Sequence, residues 1–325
     1  SAGICGVWQR VKQEALLLSR DGYEVIVFSS NAVKGSNELA NENDEINEVK
    51  IKRFSFKKYG GESFMSWNFQ KEALKFYPDI IIAHNYRQLH TTRALKIAKK
   101  IKESGKECRV FLVTHAPFVE GDITRSFRDK LAVKFYDFLI GRLTINKFDK
   151  ILAISKWETP YLIGIGARKE KIAYIPNGIP EQFFKQKKSK EENIILFLGR
   201  ISMKKKLDTL IKAMPLIKDR NVKLEIVGPK EQGYAEYIES LIKKNKLGNR
   251  IKILEPIYDI KEKIKKIDSA KIFVLPSRVE GMPQALIEAM ARERIVIGSD
   301  SIAIRDLIKN KENGYLFEFD NPKDL

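Results

Sequence analysis

Short runs of β-branched and apolar residues recur along this chain, each followed by a longer amphipathic stretch. That alternation is the signature of βαβ units laid on a parallel sheet. In the first half it predicts strands over 24–29, 50–54, 80–83, 109–114 and 150–154, and helices over 8–21, 69–76, 91–104 and 126–146. In the second half it predicts strands over 194–198, 223–227, 251–254, 272–275 and 295–297, and helices over 207–217, 234–245, 260–267 and 284–291. Runs such as Ile-Ile-Leu-Phe-Leu at 194–198 are apolar throughout, as strands covered on both faces must be. The expected fold is α/β, with two Rossmann-like, doubly wound parallel-sheet domains facing across a cleft. Residues 1–180 form the first, 181–192 a charged aperiodic linker, and 193–325 the second. Both ends read as cut, the first domain lacking its first strand and the second its last helix.

A chain of 325 residues, 43% hydrophobic and 31% charged, has ample material for two cores. No apolar run approaches the ~20 residues that span a bilayer. Two cysteines, Cys5 and Cys108, and three histidines supply neither a disulfide framework nor a metal cluster, so no metal or cofactor is expected. The formal charge of +18 is spread over both halves, with 30 basic against 20 acidic residues in 1–178. A diffuse excess suits anionic small ligands or an anionic membrane surface, and no groove-reading motif argues for nucleic acid. The expected location is the cytoplasm, in solution or at the inner face of a membrane.

The segment 274–291 has the sharpest local logic. A buried strand ends at Pro276, a loop containing Glu280, Gly281 and Met282 follows, and a helix opens at Pro283 and Gln284. Proline suits a first helical position, and the amides of that first turn favour an anion. Glu280 precedes the helix and Glu288 lies inside it, among Leu286, Ile287, Ala289 and Met290. Either the two carboxylates line one cleft as hydroxyl acceptors, or they sit on an exposed loop and a solvated face.

These residues resemble the retaining GT-B glycosyltransferases of family 4, whose hallmark is Glu-x7-Glu in this setting. Gly199-Arg200, followed by Lys205, resembles the family's Gly-Arg-x4-Lys segment, with Lys204 and Lys206 beside it. Ala153-Ile154-Ser155-Lys156, Pro176-Asn177-Gly178 and Val227-Gly228-Pro229 resemble further family segments in the same order. In the first half, Gly3 to Gly6 resembles a glycine-rich loop, and His115 the family's histidine near the donor sugar. The loop 299–306 departs from the family's Gly-Gly-x-Pro-Glu wording.

The resemblance implies transfer of a sugar from a UDP-, GDP- or ADP-sugar to the hydroxyl of a sugar, a lipid-linked molecule or a small molecule. Arg200, Lys205 and the helix amides near Gln284 would hold the diphosphate, Glu288 the ribose, and Glu280 and His115 the sugar hydroxyls. Gly6, Gly228, Gly281, Met282 and Pro283 would border the donor, and no covalent nucleophile is assigned. A GT-B epimerase or phosphorylase, or a non-catalytic nucleotide-sugar-binding module, would share much of this wording. His84 reads as a structural strand-end residue and His90 as a surface one. The helix over 126–146 mixes basic and large apolar residues, and reads either as an interfacial helix or as an amphipathic core helix.

Overall fold

The computed structural model of the protein describes residues 6–33, 38–60, 64–118, 127–185 and 190–325. The chain divides into two compact units, Ser1–Gly178 and Ile179–Leu325.

In the first unit, α1 (Gly6–Arg20) is followed by β1 (Ile26–Ser30), β2 (Asn43–Ile46) and β3 (Val49–Phe54). β1 pairs parallel with β3, and β2 runs antiparallel along the other edge of β3. β2 is polar and largely exposed, so its sequence carries no apolar alternation to announce it. A hairpin, β4 (Phe56–Gly60) and β5 (Phe64–Trp67), leads into α2 (Gln70–Phe76). Four parallel strands then lie side by side in sequence order: β6 (Ile80–His84), β7 (Arg109–Val113), β8 (Lys150–Ala153) and β9 (Ile172–Tyr174). α3 (Leu89–Glu103) crosses from β6 to β7 and buries Ala94, Ile97, Ala98 and Ile101, spaced three and four apart as one helix face requires.

The connection from β7 to β8 is the helical stretch expected over 126–146, but it is not one regular helix. α4 (Phe127–Tyr136) passes through a π turn at Asp137–Gly141 into the short α5 (Arg142–Thr144). Gly141 allows this close packing, since a Cβ there would lie 2.0 Å from the Tyr86 hydroxyl oxygen. α6 (Glu158–Gly164) then precedes β9.

The second unit opens on α7 (Gln182–Lys185), within the stretch expected as a linker. Phe183 explains the difference: it is fully buried in the core of this unit, an anchor that the surrounding charged residues conceal in the sequence. Next come β10 (Glu192–Leu198), α8 (Leu207–Ala213), β11 (Lys223–Val227), α9 (Tyr234–Lys244), β12 (Ile251–Leu254) and α10 (Ile260–Ser269). The unit ends with β13 (Ala270–Leu275), α11 (Gln284–Ala291), β14 (Ile295–Ser299), α12 (Ile302–Arg305) and β15 (Tyr315–Phe317). All six strands are parallel, in the order β12-β11-β10-β13-β14-β15. The order reverses beside β10, so the carboxyl ends of β10 and β13 flank the switch point where such sheets take their ligands. α8 stops at Ala213 and tightens into a 3₁₀ turn at Met214–Leu216, because Pro215 has no amide to continue it.

One buried ion pair fastens helix to helix in this unit. Arg292 forms a bidentate pair with Asp268, both bonds 2.7 Å, with both side chains at most 2% exposed. The same guanidinium donates to the Phe183 carbonyl at 2.7 Å, and so ties α7 to the ends of α10 and α11. Replacing Asp268 with Ala leaves a buried, uncompensated cation, and we expect a loss of about 3–5 kcal/mol in unfolding free energy. Urea titration of wild type and variant measures it.

Candidate active site

The residues singled out in the second half collect at the carboxyl ends of β10, β11 and β13. Leaving β10, the chain bends at Gly199 (φ +158°), and leaving β11 it bends at Gly228 (φ +147°). These two turns touch: a Cβ on Gly228 would lie 2.0 Å from the Gly199 carbonyl oxygen. Past the turns the segments stay joined, with the Ile201 amide donating to the Pro229 carbonyl and the Glu231 amide to that of Ile201. Arg200 stands at this crossing, half-buried, and pairs with no carboxylate among the described residues.

The three lysines after it are held differently. Lys206, in the left-handed region at φ +49°, pairs with Asp208 at 3.2 Å and Asp320 at 3.0 Å. The Tyr234 hydroxyl also donates to Asp208, which makes Lys206 part of the scaffold at the start of α8. Lys205 instead forms a short ion pair with Glu280, and both side chains are largely covered. The Arg278 amide donates to the Lys204 carbonyl at 2.9 Å, so the loop after β13 is joined to the loop after β10. Lys205 and Glu280, 75 positions apart, meet because their strands are neighbours.

Gly281, Met282 and Pro283 lead into α11. The helix opens at Gln284 with Pro283 as its cap, over the residues the sequence predicts. Glu288 is buried at 4% exposure, so it does not sit on a solvated face. Its carboxylate pairs with Lys263 of α10 at 2.7 Å, and burial raises its pKa against the lowering influence of that lysine. Lys263 is absent from the sequence reading: one lysine among several on an amphipathic helix carries no motif. Behind the strand ends, the Ser299 hydroxyl donates to the Ser277 carbonyl at 2.6 Å and fixes β14 to β13. In the divergent loop 299–306, Arg305 meets Asp300 at 3.2 Å.

In the first unit all three histidines gather at the carboxyl ends of β6 and β7. His84 Nδ1 lies 3.0 Å from His115 Nε2, and His84 Nε2 lies 3.4 Å from Glu14 of α1. His90 is not a surface residue: it packs on Trp67 and its Nε2 lies 2.6 Å from the His84 carbonyl oxygen. Burial pushes the His90 and His115 pKa values down to about 4, the Arg10 guanidinium adding to the effect at His115. His84 is lowered well below the ordinary imidazole range, by burial first and then by the neighbouring His115, Arg10 and His90. The rings are therefore neutral at pH 7, each with one donor and one acceptor nitrogen.

His115 and Ala116 both adopt positive φ, +57° and +51°, an uncommon pair for non-glycine residues. Glu158 holds that turn. Its fully buried carboxylate accepts from the Thr114 hydroxyl, from the Ala116 amide at 2.9 Å, and from the Ile154 and Ser155 amides at 2.8 and 3.0 Å. Burial raises its pKa, and the four donors oppose the shift. The signal for Glu158 was present as Ser155-x-x-Glu158, the spacing at which a glutamate reaches back to the amide that opens a helix. Gly6 is exposed at the start of α1 with open space where a Cβ would stand, and Gly3, Ile4 and Cys5 lie outside the described residues.

Comparison with known proteins places the chain in a family. Residues 4–183 match the model for Glycosyltransferase Family 4, and residues 178–325 match that for Glycosyl transferases group 1. The chain belongs to glycosyltransferase family 4. It is 31% identical over 199 residues to an uncharacterized glycosyltransferase of Methanocaldococcus jannaschii, covering 56% of this chain and 48% of that one. The chain spans about half the length of the curated relatives it matches. Among solved structures, sucrose-phosphate synthase from Thermosynechococcus elongatus superposes with a TM-score of 0.72 at 18% identity, covering 98% of this chain and 82% of that one. Anabaena HepE, solved with UDP and glucose, gives 0.66 at 17% identity, covering 93% and 88%. The fold is α/β of the GT-B type.

Two measurements check this description. Gly228→Ala forces a Cβ into the Gly199 carbonyl at a strained φ, so we expect at least about 2 kcal/mol of destabilisation by chemical denaturation. For His115 the folded value lies below the ordinary 6.5. Between about pH 6.5 and 4 the unfolded chain therefore binds a proton that the folded chain refuses. Its stabilising contribution is complete above pH 6.5 and falls on acidification. His115→Asn should make the slope of unfolding free energy against pH shallower across that window, by up to about 1.4 kcal/mol per pH unit.

Proposed function

We propose that the protein transfers a sugar from a nucleoside diphosphate sugar to an acceptor hydroxyl, with retention of anomeric configuration. The observation that carries this reading is the ion pair of Lys205 with Glu280 at the switch point of the second unit's sheet, with Arg200 on the turn that leaves β10. In this reading Arg200 grips the diphosphate with two parallel hydrogen bonds, and Lys205 supplies a point charge. A diphosphate drawing on Lys205 loosens its hold on Glu280, whose carboxylate then accepts hydroxyls of the donor sugar. Glu288, braced by Lys263, accepts the ribose hydroxyls. The amide end of α11 adds a fixed positive dipole beside the phosphates.

As the bond from the anomeric carbon to the phosphate oxygen breaks, its electron pair passes to that oxygen. Fixed cations stabilise the developing charge without reorganising. The acceptor oxygen bonds to the anomeric carbon on the same face, and its proton passes to the departing phosphate. His115, in the first unit, is kept neutral by burial and so serves as a hydrogen-bonding partner for sugar hydroxyls rather than as a cation. The related fold of Anabaena HepE was solved with UDP, which makes uridine nucleotides the first ligands to try.

The test is a thermal-shift panel of UDP, GDP, ADP and their sugars on wild type and on Arg200→Ala. Ligand at a hundred times its Kd should add about 2.7 kcal/mol of stability. We expect a shift with one base, UDP foremost, and a loss of roughly ten- to a hundredfold in affinity for the variant. A folded wild type that responds to no nucleotide would overturn the reading. Donor binding without sugar release or transfer to any acceptor would reduce it to a binding module.

A further inference from the structure

The helical stretch between β7 and β8 turns one face into the fold and leaves the other uncovered. The inward face is clamped. Asp137 takes two hydrogen bonds from Arg87, at 2.9 and 2.6 Å, Gly141 packs under Tyr86, and Ile145 is fully buried. The outward face shows Leu131, Phe135, Phe138 and Leu143 at 59%, 65%, 67% and 70% exposure. A soluble chain rarely gathers large apolar side chains in one exposed stripe without a partner for them.

The π turn helps to make this stripe. In an unbroken α-helix Leu143 would point about 80° away from Phe135. The turn at Asp137–Gly141 takes in an extra residue and rotates Leu143 back toward that face. Around the stripe stand Arg128, Lys130, Lys134 and Arg142, all exposed. The carboxylate described on this stretch, Asp137, points inward onto Arg87. The outward face therefore offers apolar side chains and positive charge together.

We infer that this face lies on an anionic lipid bilayer, with Leu131, Phe135, Phe138 and Leu143 entering the boundary between headgroups and acyl chains and the four cations resting among the phosphates. Charge complementarity selects that occupant. A second copy would bring like cations together within a chain that already carries +18. The helix rests on the surface rather than crossing it, because no described helix is long and apolar enough to span a membrane. The inference is independent of the donor chemistry, since it uses none of the residues assigned to the donor.

The test is co-sedimentation of the full chain with phosphatidylcholine vesicles, with and without phosphatidylglycerol, at low and high salt. Wild type should bind the anionic vesicles, release them as salt rises, and ignore the neutral ones. The exposed double variant Phe135→Ser/Phe138→Ser should keep its unfolding temperature and bind at least roughly tenfold more weakly. Lys134→Glu/Arg142→Glu should lose at least roughly fivefold for each cation removed. No binding to anionic vesicles, or binding that neither variant weakens, overturns the inference. So does light scattering that shows a dimer in wild type and a monomer in Phe135→Ser/Phe138→Ser, which would give the face to a second copy. UDP binding, measured on the same samples, reports separately on the donor site.

Discussion

A parallel strand covered on both faces has nowhere along its length to show a polar side chain. Leu196, Phe197, Leu224, Ile226 and Phe273 are all fully buried, and the sheet they form is chemically mute. Its carboxyl ends are the places where backbone and charge come together, and the candidate site residues of the second unit gather there. The sheet's order then decides who meets whom. β10 and β13 are neighbours although 71 residues separate the end of one from the start of the other, so Lys205 and Glu280 share one ion pair.

The carboxylates singled out in each unit are managed by burial and pairing rather than by solvent. Glu288 carries its own lysine, Glu280 borrows one from a neighbouring strand's loop, and Glu158 is satisfied by four donors that need no charge at all. These are different electrostatic situations. A carboxylate bonded only to neutral donors brings order to its surroundings but gives little field to a ligand. A carboxylate sharing a lysine can exchange that partner for another anion. Glu158 therefore reads as a positioning residue, and Glu280 as one whose partner can change.

Most of the architecture was legible because both halves obey one pattern. β11, β12 and α11 fall where the hydrophobic runs place them, and β10, β13 and α9 differ only at their ends. What escaped had physical reasons. β2 is polar and exposed, and alternation cannot reveal it. Phe183 is a single anchor in charged surroundings. The π turn ends at Gly141, which fits beneath Tyr86, a contact between residues 55 positions apart. In the second unit, Arg200, Lys205, Glu280 and Glu288 were readable as motif, but the lysine that pairs with Glu288 was not. Lys263 and Glu14 belong to helices whose sequences look ordinary, and His90 looked like a surface residue until Trp67 was seen against it.

The bond from Arg292 to the Phe183 carbonyl has a practical consequence for dissecting the chain. The visible strand pattern of the second unit begins at β10, and a fragment started there would look complete on paper. It would lack the phenyl ring that fills the bottom of the core and the carbonyl that takes up the third arm of a buried guanidinium. The modular boundary that counts for folding therefore lies upstream of Gln182, in a stretch whose composition advertises nothing but solubility.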